Sequence, residues 1–268
     1  MERRDASSGT RFCVNRAPAT LPFMRLLLIR HAQSVNNAVW AETGEGANRV
    51  SDPALTPLGE AQARALADTV ADGRIPRPDV LYSSLMIRAI STAAPLADAL
   101  DLPIYAHPRL FEVGGIFDGH YAGPHGPGAD ATPLSGSPAA VLRQLTPRLV
   151  LPPEVTEDGW FPGPVETLPK AWQRAKGIVA ELTRRHTGPE TTVAVVTHGW
   201  FLNHLIRAFV DWPPRADGVV PVWIEHLNTG HTLMARDADL GYDLADEHAR
   251  ILWLNRSDHL APDQIVFC

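Results

Sequence analysis

Short apolar runs recur along this chain and divide it into alternating segments. Four of them end abruptly in a charged or titratable residue: LLLIRH around residues 27–31, DVLYSSLMIRA at 79–89, RLFEVGG at 109–115 and TVAVVTHGW at 192–200. Runs of this length that are rich in Val, Ile and Leu are typical of strands buried on both faces. The pattern therefore predicts four buried strands, each followed by a reactive side chain.

Longer segments with helical spacing lie between these runs. Thr56 and Pro57 are typical of a helix start, and apolar residues then repeat at helical spacing until Gly73. Similar apolar stripes cover residues 166–186 and 201–210. Because strands alternate with helices, we expect a three-layer α/β/α fold, with a mostly parallel central sheet covered by helices on both faces.

The stretch 113–165 breaks this regularity. It is crowded with Gly and Pro, and it contains one short helical pattern near 139–150. Segments of this length inside a domain are usually active-site lids or disordered insertions. We therefore predict a single domain over residues 24–268 with a lid or insertion at 113–165. A disordered polar tail at 1–23 would precede it, and Met24 is a second candidate for the start of translation.

Composition and charge narrow the class of partner. The 268 residues carry a formal net charge of −6, which argues against the broad basic surface that nucleic-acid binding needs. No apolar run reaches the roughly 18 residues of a membrane span, so we expect neither a nucleic acid nor a membrane as partner. Cys13 and Cys268 form neither a zinc motif nor a disulfide scaffold, which favours a cytoplasmic protein. The sequence leaves the oligomeric state open.

The residues that end the apolar runs carry the candidate chemistry. In a parallel sheet, ligands bind beyond the carboxyl ends of the strands. Five residues would meet there: Arg30, His31, Arg88, Glu112 and His198. Arginines offer forks of donors that match phosphate oxygens, a histidine can be a nucleophile or a donor, and a carboxylic acid can protonate a departing oxygen. Their combination predicts a site that cleaves a small phosphomonoester.

Six segments, in order, resemble the motifs of one known family. RHAQSVNN resembles the RHG signature of the histidine phosphatase superfamily, also called the phosphoglycerate mutase-like family. The other five are LTPLGEAQA (55–63), YSSLMIRAISTA (82–93), LFEVGGIFDG (110–119), GPVETLPKAWQR (163–174) and VVTHGWFLNHLI (195–206). HLNTGHTLM (226–234) is also similar to a late strand of the family. The resemblance runs from Met24 to about Leu254.

This resemblance implies a role for each candidate residue. His31 would attack phosphorus and become a phosphohistidine, while Arg30, Arg88 and His198 would hold the phosphate oxygens. Glu112 would protonate the leaving oxygen and then activate the water that releases phosphate. No metal ion or other cofactor is implied, because the arginines and His198 supply the positive charge.

Three positions near the nucleophile leave alternatives open. Asn37 would also hold phosphate, but it could instead cap a helix, with Asn36 taking its place. The family usually has Gly and Glu directly after its RH pair, where this chain has Ala32 and Gln33. Ala32 would cost about 1 kcal/mol if the backbone there needs a positive φ. Gln33 removes a negative charge, which could alter the titration of His31 or the choice of substrate.

The sequence gives less support to two other functions and to a metal site. The segment 38–54 does not resemble the Gly-Trp-containing substrate segment of phosphoglycerate mutases, which favours hydrolysis over phosphoglycerate isomerisation. Retention of every chemically active residue argues against a non-catalytic phospholigand-binding module. Four residues of the 113–165 stretch could suggest a metal site, but they lack a rigid frame of ligands. They are Asp118, His120, His125 and Asp130.

Overall fold

The computed structural model describes residues 24–44, 49–120, 127–161, 163–186, 191–237 and 248–266. The predicted tail at 1–23, His125 and both cysteines lie outside these residues. Nine strands are present in the described part of the chain: β1 (Met24–Arg30), β2 (Val80–Ser83), β3 (Ile104–Ala106), β4 (Phe117–Asp118), β5 (Thr132–Pro133), β6 (Leu149–Val150), β7 (Thr191–Thr197), β8 (His231–Asp237) and β9 (His248–Arg256).

Seven of these strands form the central sheet, in the order β6, β3, β2, β7, β1, β8, β9. The five strands from β6 to β1 run parallel to one another, and β8 and β9 add an antiparallel edge. β4 and β5 pair with each other apart from this sheet. The mostly parallel sheet predicted from the alternation of segments is confirmed.

Six α-helices lie within the described ranges: α1 (Val35–Thr43), α2 (Pro57–Ala71), α3 (Ile87–Leu100), α4 (Ala139–Arg143), α5 (Leu168–Arg185) and α6 (Gly199–Phe209). Residues of β1 show why the molecule has three layers. Leu26 and Leu28 pack in the core beneath α5 and α6, whereas Leu27 and Ile29 pack on the opposite face beneath α2 and α3. Successive side chains of a strand point to opposite faces, so this continuous apolar run serves both cores.

One of the four predicted strands is wrong. Residues 109–115 form turns, and the strand that precedes them is β3. Leu110 and Val113 are nonetheless fully buried, because they pack with α5 and α6 in the core. Thr197 Oγ1 donates to the Leu110 carbonyl at 2.7 Å, which holds this loop beside the end of β7. Buried turn residues therefore produced an apolar run that resembles a strand.

The segment predicted as a strand at 79–89 is also shorter than expected. β2 ends at Ser83, and Arg88 lies in the first turn of α3. Within the 113–165 stretch, the short helical pattern corresponds to α4, and β6 joins the edge of the central sheet. The boundaries of tail, domain and lid stay a prediction. In the described ranges, no helix is both long enough and apolar enough to cross a membrane.

Candidate active site

The carboxyl end of β1 places Arg30 and His31 in the interior of the protein. The Arg30 N–H donates to the Gly230 carbonyl at 3.1 Å, and the His31 N–H donates to the Thr197 carbonyl at 2.8 Å. Both side chains are buried. Neighbouring strands on both sides therefore fix the backbone that carries the two residues.

Two hydrogen bonds define the state of the His31 ring. Nδ1 lies 2.7 Å from the Ala32 carbonyl oxygen and must donate to it, because a carbonyl oxygen only accepts. Nε2 then carries the lone pair and accepts from Arg88 Nε at 3.1 Å. Burial, followed by the charges of Arg88 and Arg30, holds the pKa of His31 well below its usual value. The ring is therefore neutral, with its nucleophilic nitrogen directed at a guanidinium.

Asp52, which the sequence did not indicate, holds Arg88 from the other side. One carboxylate oxygen lies 3.7 Å from Arg88 Nη1 and accepts the Ile87 N–H at 3.0 Å. This bond caps α3, whose own N-cap residue, Met86, makes no side-chain capping bond. Burial raises the pKa of Asp52 to about 6, an effect that the charge of Arg88 partly offsets. Asp52 precedes a proline in a polar loop, so the sequence around it carried no signal for this role.

His198 follows β7 and packs against the first histidine. Its ring centroid lies 5.2 Å from that of His31, and its Nε2 lies 2.9 Å from Ser84 Oγ. Burial and then the charge of Arg88 lower its pKa well below the usual value. Gly199 follows, close enough that an added Cβ would come within 3.3 Å of Arg30 Nε. The two strand ends thus bring the two histidines together.

Glu112 is half-buried at the start of α6. Its carboxylate accepts three backbone N–H groups, from Val113 at 2.8 Å, Phe201 at 3.0 Å and Trp200 at 3.3 Å. Burial raises the pKa of this carboxyl above its ordinary value, and the three hydrogen bonds together with Arg88 partly offset the rise. A raised pKa suits a group that must carry a proton before it donates one.

Arg174 supports the loop that carries Glu112. Its Nη1 donates to the carbonyls of Arg109 at 2.6 Å and Phe111 at 3.0 Å, so it binds the loop on both sides of this position. Glu166 holds the guanidinium with two hydrogen bonds of 2.6 and 2.7 Å. Because two parallel bonds fix a guanidinium in one plane, the position of the acidic loop is well defined.

Asn37 lies in the first turn of α1 and takes part in capping that helix. Its side-chain oxygen accepts from the Ser34 N–H at 3.1 Å, and Ser34 Oγ faces the Asn37 N–H at 3.4 Å. The Asn36 side chain binds the backbone of Val50 instead: it donates to the Val50 carbonyl at 2.7 Å and accepts the Val50 N–H at 2.8 Å. The capping alternative is therefore observed. Only the amide nitrogen of Asn37 could then donate to a phosphate, and that role stays a prediction.

The residues in the places of the family's Gly and Glu fit their surroundings without strain. Ala32 is not among the non-glycine residues with a positive φ in the described part of the chain, and its N–H donates to Thr92 Oγ1 at 2.9 Å. Gln33 does not line the cavity beside His31. Its side-chain oxygen accepts from Thr56 Oγ1 at 2.6 Å, at the start of α2. The backbone penalty considered for Ala32 is therefore absent.

The segment 226–234 contains residues of the site that the sequence pattern did not indicate. The strand begins only at His231, and the preceding loop contacts the nucleophile. Asn228 Nδ2 donates to the His31 carbonyl at 3.1 Å, and the His226 carbonyl accepts from Arg30. Thr229 adopts a φ of 56°, which is costly for a β-branched residue. A cluster of polar residues directly before an apolar strand was the available signal.

These residues surround one cavity of about 510 Å³. Five of the six predicted site residues line it: Arg30, His31, Asn37, Arg88 and Glu112. His198 completes the set through its ring contact with His31. The structure therefore brings together residues that are spread over most of the sequence.

Two of the four residues considered for a metal site in the 113–165 stretch pair with each other. His120 pairs with Asp130 at 2.5 Å on the surface, while His125 lies outside the described residues. Among the residues that the structure describes, no group of three or more His, Cys, Asp or Glu side chains could hold a metal ion.

Trp160 and Phe161 are buried against Phe111, so their contacts are those of loop packing.

Comparison with known proteins identifies the class. The profile of the histidine phosphatase superfamily (branch 1) matches residues 26–123 and 135–234, so the chain belongs to this family. Phosphoserine phosphatase 1 of Hydrogenobacter thermophilus is 30% identical over 179 residues, which cover 65% of this chain and 71% of that protein. Glucosyl-3-phosphoglycerate phosphatase of Mycolicibacterium vanbaalenii is 28% identical over 249 residues, covering 89% of this chain and 97% of that protein.

The fold has a counterpart among solved structures. The native structure of a mycobacterial glucosyl-3-phosphoglycerate phosphatase matches with a TM-score of 0.56 and 22% identity, covering 87% of this chain and 99% of that chain. The predicted family and fold class are confirmed, and so is the predicted enzyme class, a phosphoric monoester hydrolase.

Proposed function

We propose that this protein hydrolyses a small phosphorylated metabolite through a phosphohistidine formed on His31. The observation that carries the proposal is the fixed tautomer of that ring. Nδ1 donates to Ala32 and Nε2 faces Arg88, so the nucleophilic lone pair lies next to a group that binds phosphate oxygens. A cytoplasmic location and the absence of nucleic-acid or membrane partners stay predictions.

In the first step, His31 Nε2 attacks phosphorus while the bond to the leaving oxygen breaks. Arg30, Arg88, His198 and the Asn37 amide hold the phosphoryl oxygens, and the two arginines balance their charge, as preorganised donors do in phosphoryl transfer. Glu112 gives its proton to the departing oxygen, so an alcohol leaves rather than an alkoxide. The lowered pKa of His31 keeps the attacking nitrogen unprotonated at neutral pH.

In the second step, the phosphohistidine is hydrolysed. The Glu112 carboxylate, left without its proton, takes a proton from a water molecule that attacks phosphorus. The P–N bond breaks, phosphate leaves, and both residues return to their starting states. Neither step requires a metal ion or a cofactor, because residues of the site supply the positive charge and the proton.

The test compares the wild-type protein with His31→Ala on p-nitrophenyl phosphate, phosphoserine and 3-phosphoglycerate. We expect phosphate release from the wild type and a loss of about 10⁴-fold or more in the variant, because a nucleophile has no substitute. Tyr105→Ala is the control, since this exposed aromatic residue does not line the cavity. Undiminished release by His31→Ala, or isomerisation of 3-phosphoglycerate without phosphate release, would contradict the proposal.

A further inference from the structure

A second set of side chains lines the same cavity. It contains three tryptophans, Trp40, Trp200 and Trp223, which we name the tryptophan wall. Trp40 is 41% exposed and Trp223 is 40% exposed. Clustered apolar groups that stay exposed in a concave site are typical of a surface that a ligand covers.

Two members of the tryptophan wall, Trp200 and Trp223, lie on the side from which the leaving group departs. An acid must reach the leaving oxygen to protonate it, and Glu112 accepts its 3.3 Å hydrogen bond from the backbone of Trp200. The atoms attached to that oxygen therefore lie next to Trp200. The rings of Trp200 and Trp223 meet edge to face, with centroids 4.6 Å apart, and continue the apolar surface outward.

The loop that carries Trp223 is fixed on both sides of that residue. Asn203 of α6 binds the neighbouring Ile224 twice, accepting its N–H at 2.9 Å and donating to its carbonyl at 3.1 Å. Arg207 donates to the Val222 carbonyl at 2.7 Å. Gly218 has a φ of +86° and lies so close to α5 that an added Cβ would collide with its backbone. The part of the wall that carries Trp223 is therefore formed before substrate binds, which lowers the entropic cost of binding.

The charges near the tryptophan wall argue against an anionic leaving group. Arg49 lines the cavity, but its guanidinium stacks 4.2 Å from the Phe117 ring and donates to the carbonyls of Phe117 and Gly119. Glu225 also lines the cavity and accepts from the Trp223 indole N–H at 3.0 Å. A carboxylate on the leaving group would meet one arginine already engaged and one acidic side chain, which is an unfavourable setting for an anion.

We propose that the tryptophan wall is a leaving-group subsite for an apolar, ring-bearing alcohol. The substrate class is then a phosphomonoester of such an alcohol, and not a phosphomonoester of a carboxylate-bearing alcohol such as serine or glycerate. This inference rests on the proposed function, since it assumes that the phosphoryl group binds beside His31.

The experiment compares three esters of primary alcohols, so that the departing alkoxides are of the same kind. They are 2-phenylethyl phosphate, phosphoserine and 3-phosphoglycerate, and p-nitrophenyl phosphate, whose own leaving group carries a ring, reports only whether phosphate is released at all. We expect kcat/KM for 2-phenylethyl phosphate to exceed the values for the two carboxylates by at least tenfold in the wild type. One additional aromatic contact between the substrate and the protein corresponds to a difference of roughly tenfold in kcat/KM.

Two variants locate the preference. Trp223→Ala and Trp40→Ala should each lower kcat/KM for 2-phenylethyl phosphate by roughly tenfold and for phosphoserine by less than about threefold. Tyr105→Ala is the matched control, because this aromatic residue is 42% exposed but lies outside the cavity lining. It should leave the ratio between substrates unchanged. Retained hydrolysis of phosphoserine, whose leaving group carries no ring, shows that each variant is folded.

The outcomes separate the two proposals. A preference for 2-phenylethyl phosphate below tenfold, or equal losses for 2-phenylethyl phosphate and phosphoserine in Trp223→Ala and Trp40→Ala, overturns the subsite and leaves the phosphatase intact. Failure to release phosphate from any ester, p-nitrophenyl phosphate included, overturns the proposed function and the subsite with it.

Discussion

The two ends of the cavity are built in opposite ways. At the phosphate-binding end, His31 and Arg88 are buried, and each is held by hydrogen bonds or charges from another element. At the tryptophan wall, the rings of Trp40 and Trp223 remain partly exposed, and fixed backbone supports Trp223. Burial and mutual contacts set the protonation and position of groups that do chemistry. Exposed rings leave apolar area for the substrate to cover, which favours its binding.

The largest effect that sharpens this contrast is expected from Arg88→Ala. The variant loses a donor to phosphate and the partner of His31 Nε2, so kcat/KM should fall by about 10³-fold. The loss should be the same for 2-phenylethyl phosphate and phosphoserine, because both place the same group at this end. Steady-state phosphate release measures it. A loss that differs several-fold between the two esters would break the division of the cavity into chemical and leaving-group ends.

Glu112→Gln should have the next largest effect, and one that depends on the leaving group. Gln keeps the size of the side chain but cannot donate the proton, so alkyl esters should lose about 10²-fold or more in kcat. p-Nitrophenyl phosphate should lose much less, because its leaving group needs less protonation. Parallel assays on both substrates decide the matter, and equal losses would argue that Glu112 does not act as the acid.

Asp52→Asn should lower kcat/KM by about tenfold at neutral pH, because the carboxylate that holds Arg88 is lost. With a pKa of about 6, Asp52 is charged above that pH and becomes neutral as the pH falls through it. The advantage of the wild type over Asp52→Asn should therefore shrink as the pH falls below 6. The ratio of the two pH profiles removes the titration of the substrate, which is common to both. A ratio that stays constant with pH would exclude this role.

The smallest effect is expected from Gln33→Glu, which restores the usual family residue. The Gln33 side chain accepts from Thr56 at the start of α2 and does not line the cavity. A glutamate can accept the same bond, and negative charge is favourable at a helix N-terminus. We expect kcat/KM and its pH profile to change by less than about twofold. A shift of the acidic limb of the pH profile would show that the charge at position 33 does change the pKa of His31.

The chemical end of the cavity could be predicted from sequence because its residues follow buried segments. His31 and His198 come directly after β1 and β7, and parallel strands in register place their ends at one edge. Even the mistaken strand at 109–115 led to Glu112, since its loop is held at the same edge by Thr197. Local apolar pattern and sheet topology together were sufficient there.

The remaining parts depend on contacts that local pattern does not encode. Asp52 supports Arg88 across 36 positions of sequence, and nothing around it distinguishes it from an ordinary loop aspartate. Trp40 of the tryptophan wall belongs to α1 and Trp223 to the loop before β8, and the position of that loop follows from Asn203 and Arg207 of α6. These long-range side-chain contacts shape the proposed subsite, and local sequence pattern does not encode them.

Trapping of the covalent intermediate tests the central claim most directly. Wild-type protein is mixed with p-nitrophenyl phosphate, quenched in alkali to preserve phosphohistidine, digested and mapped by mass spectrometry, with His31→Ala treated in parallel. We expect one phosphoryl group on the peptide that contains His31 in the wild type and none in the variant. Turnover without a phosphorylated peptide, or with the phosphoryl group on another residue, would contradict the account.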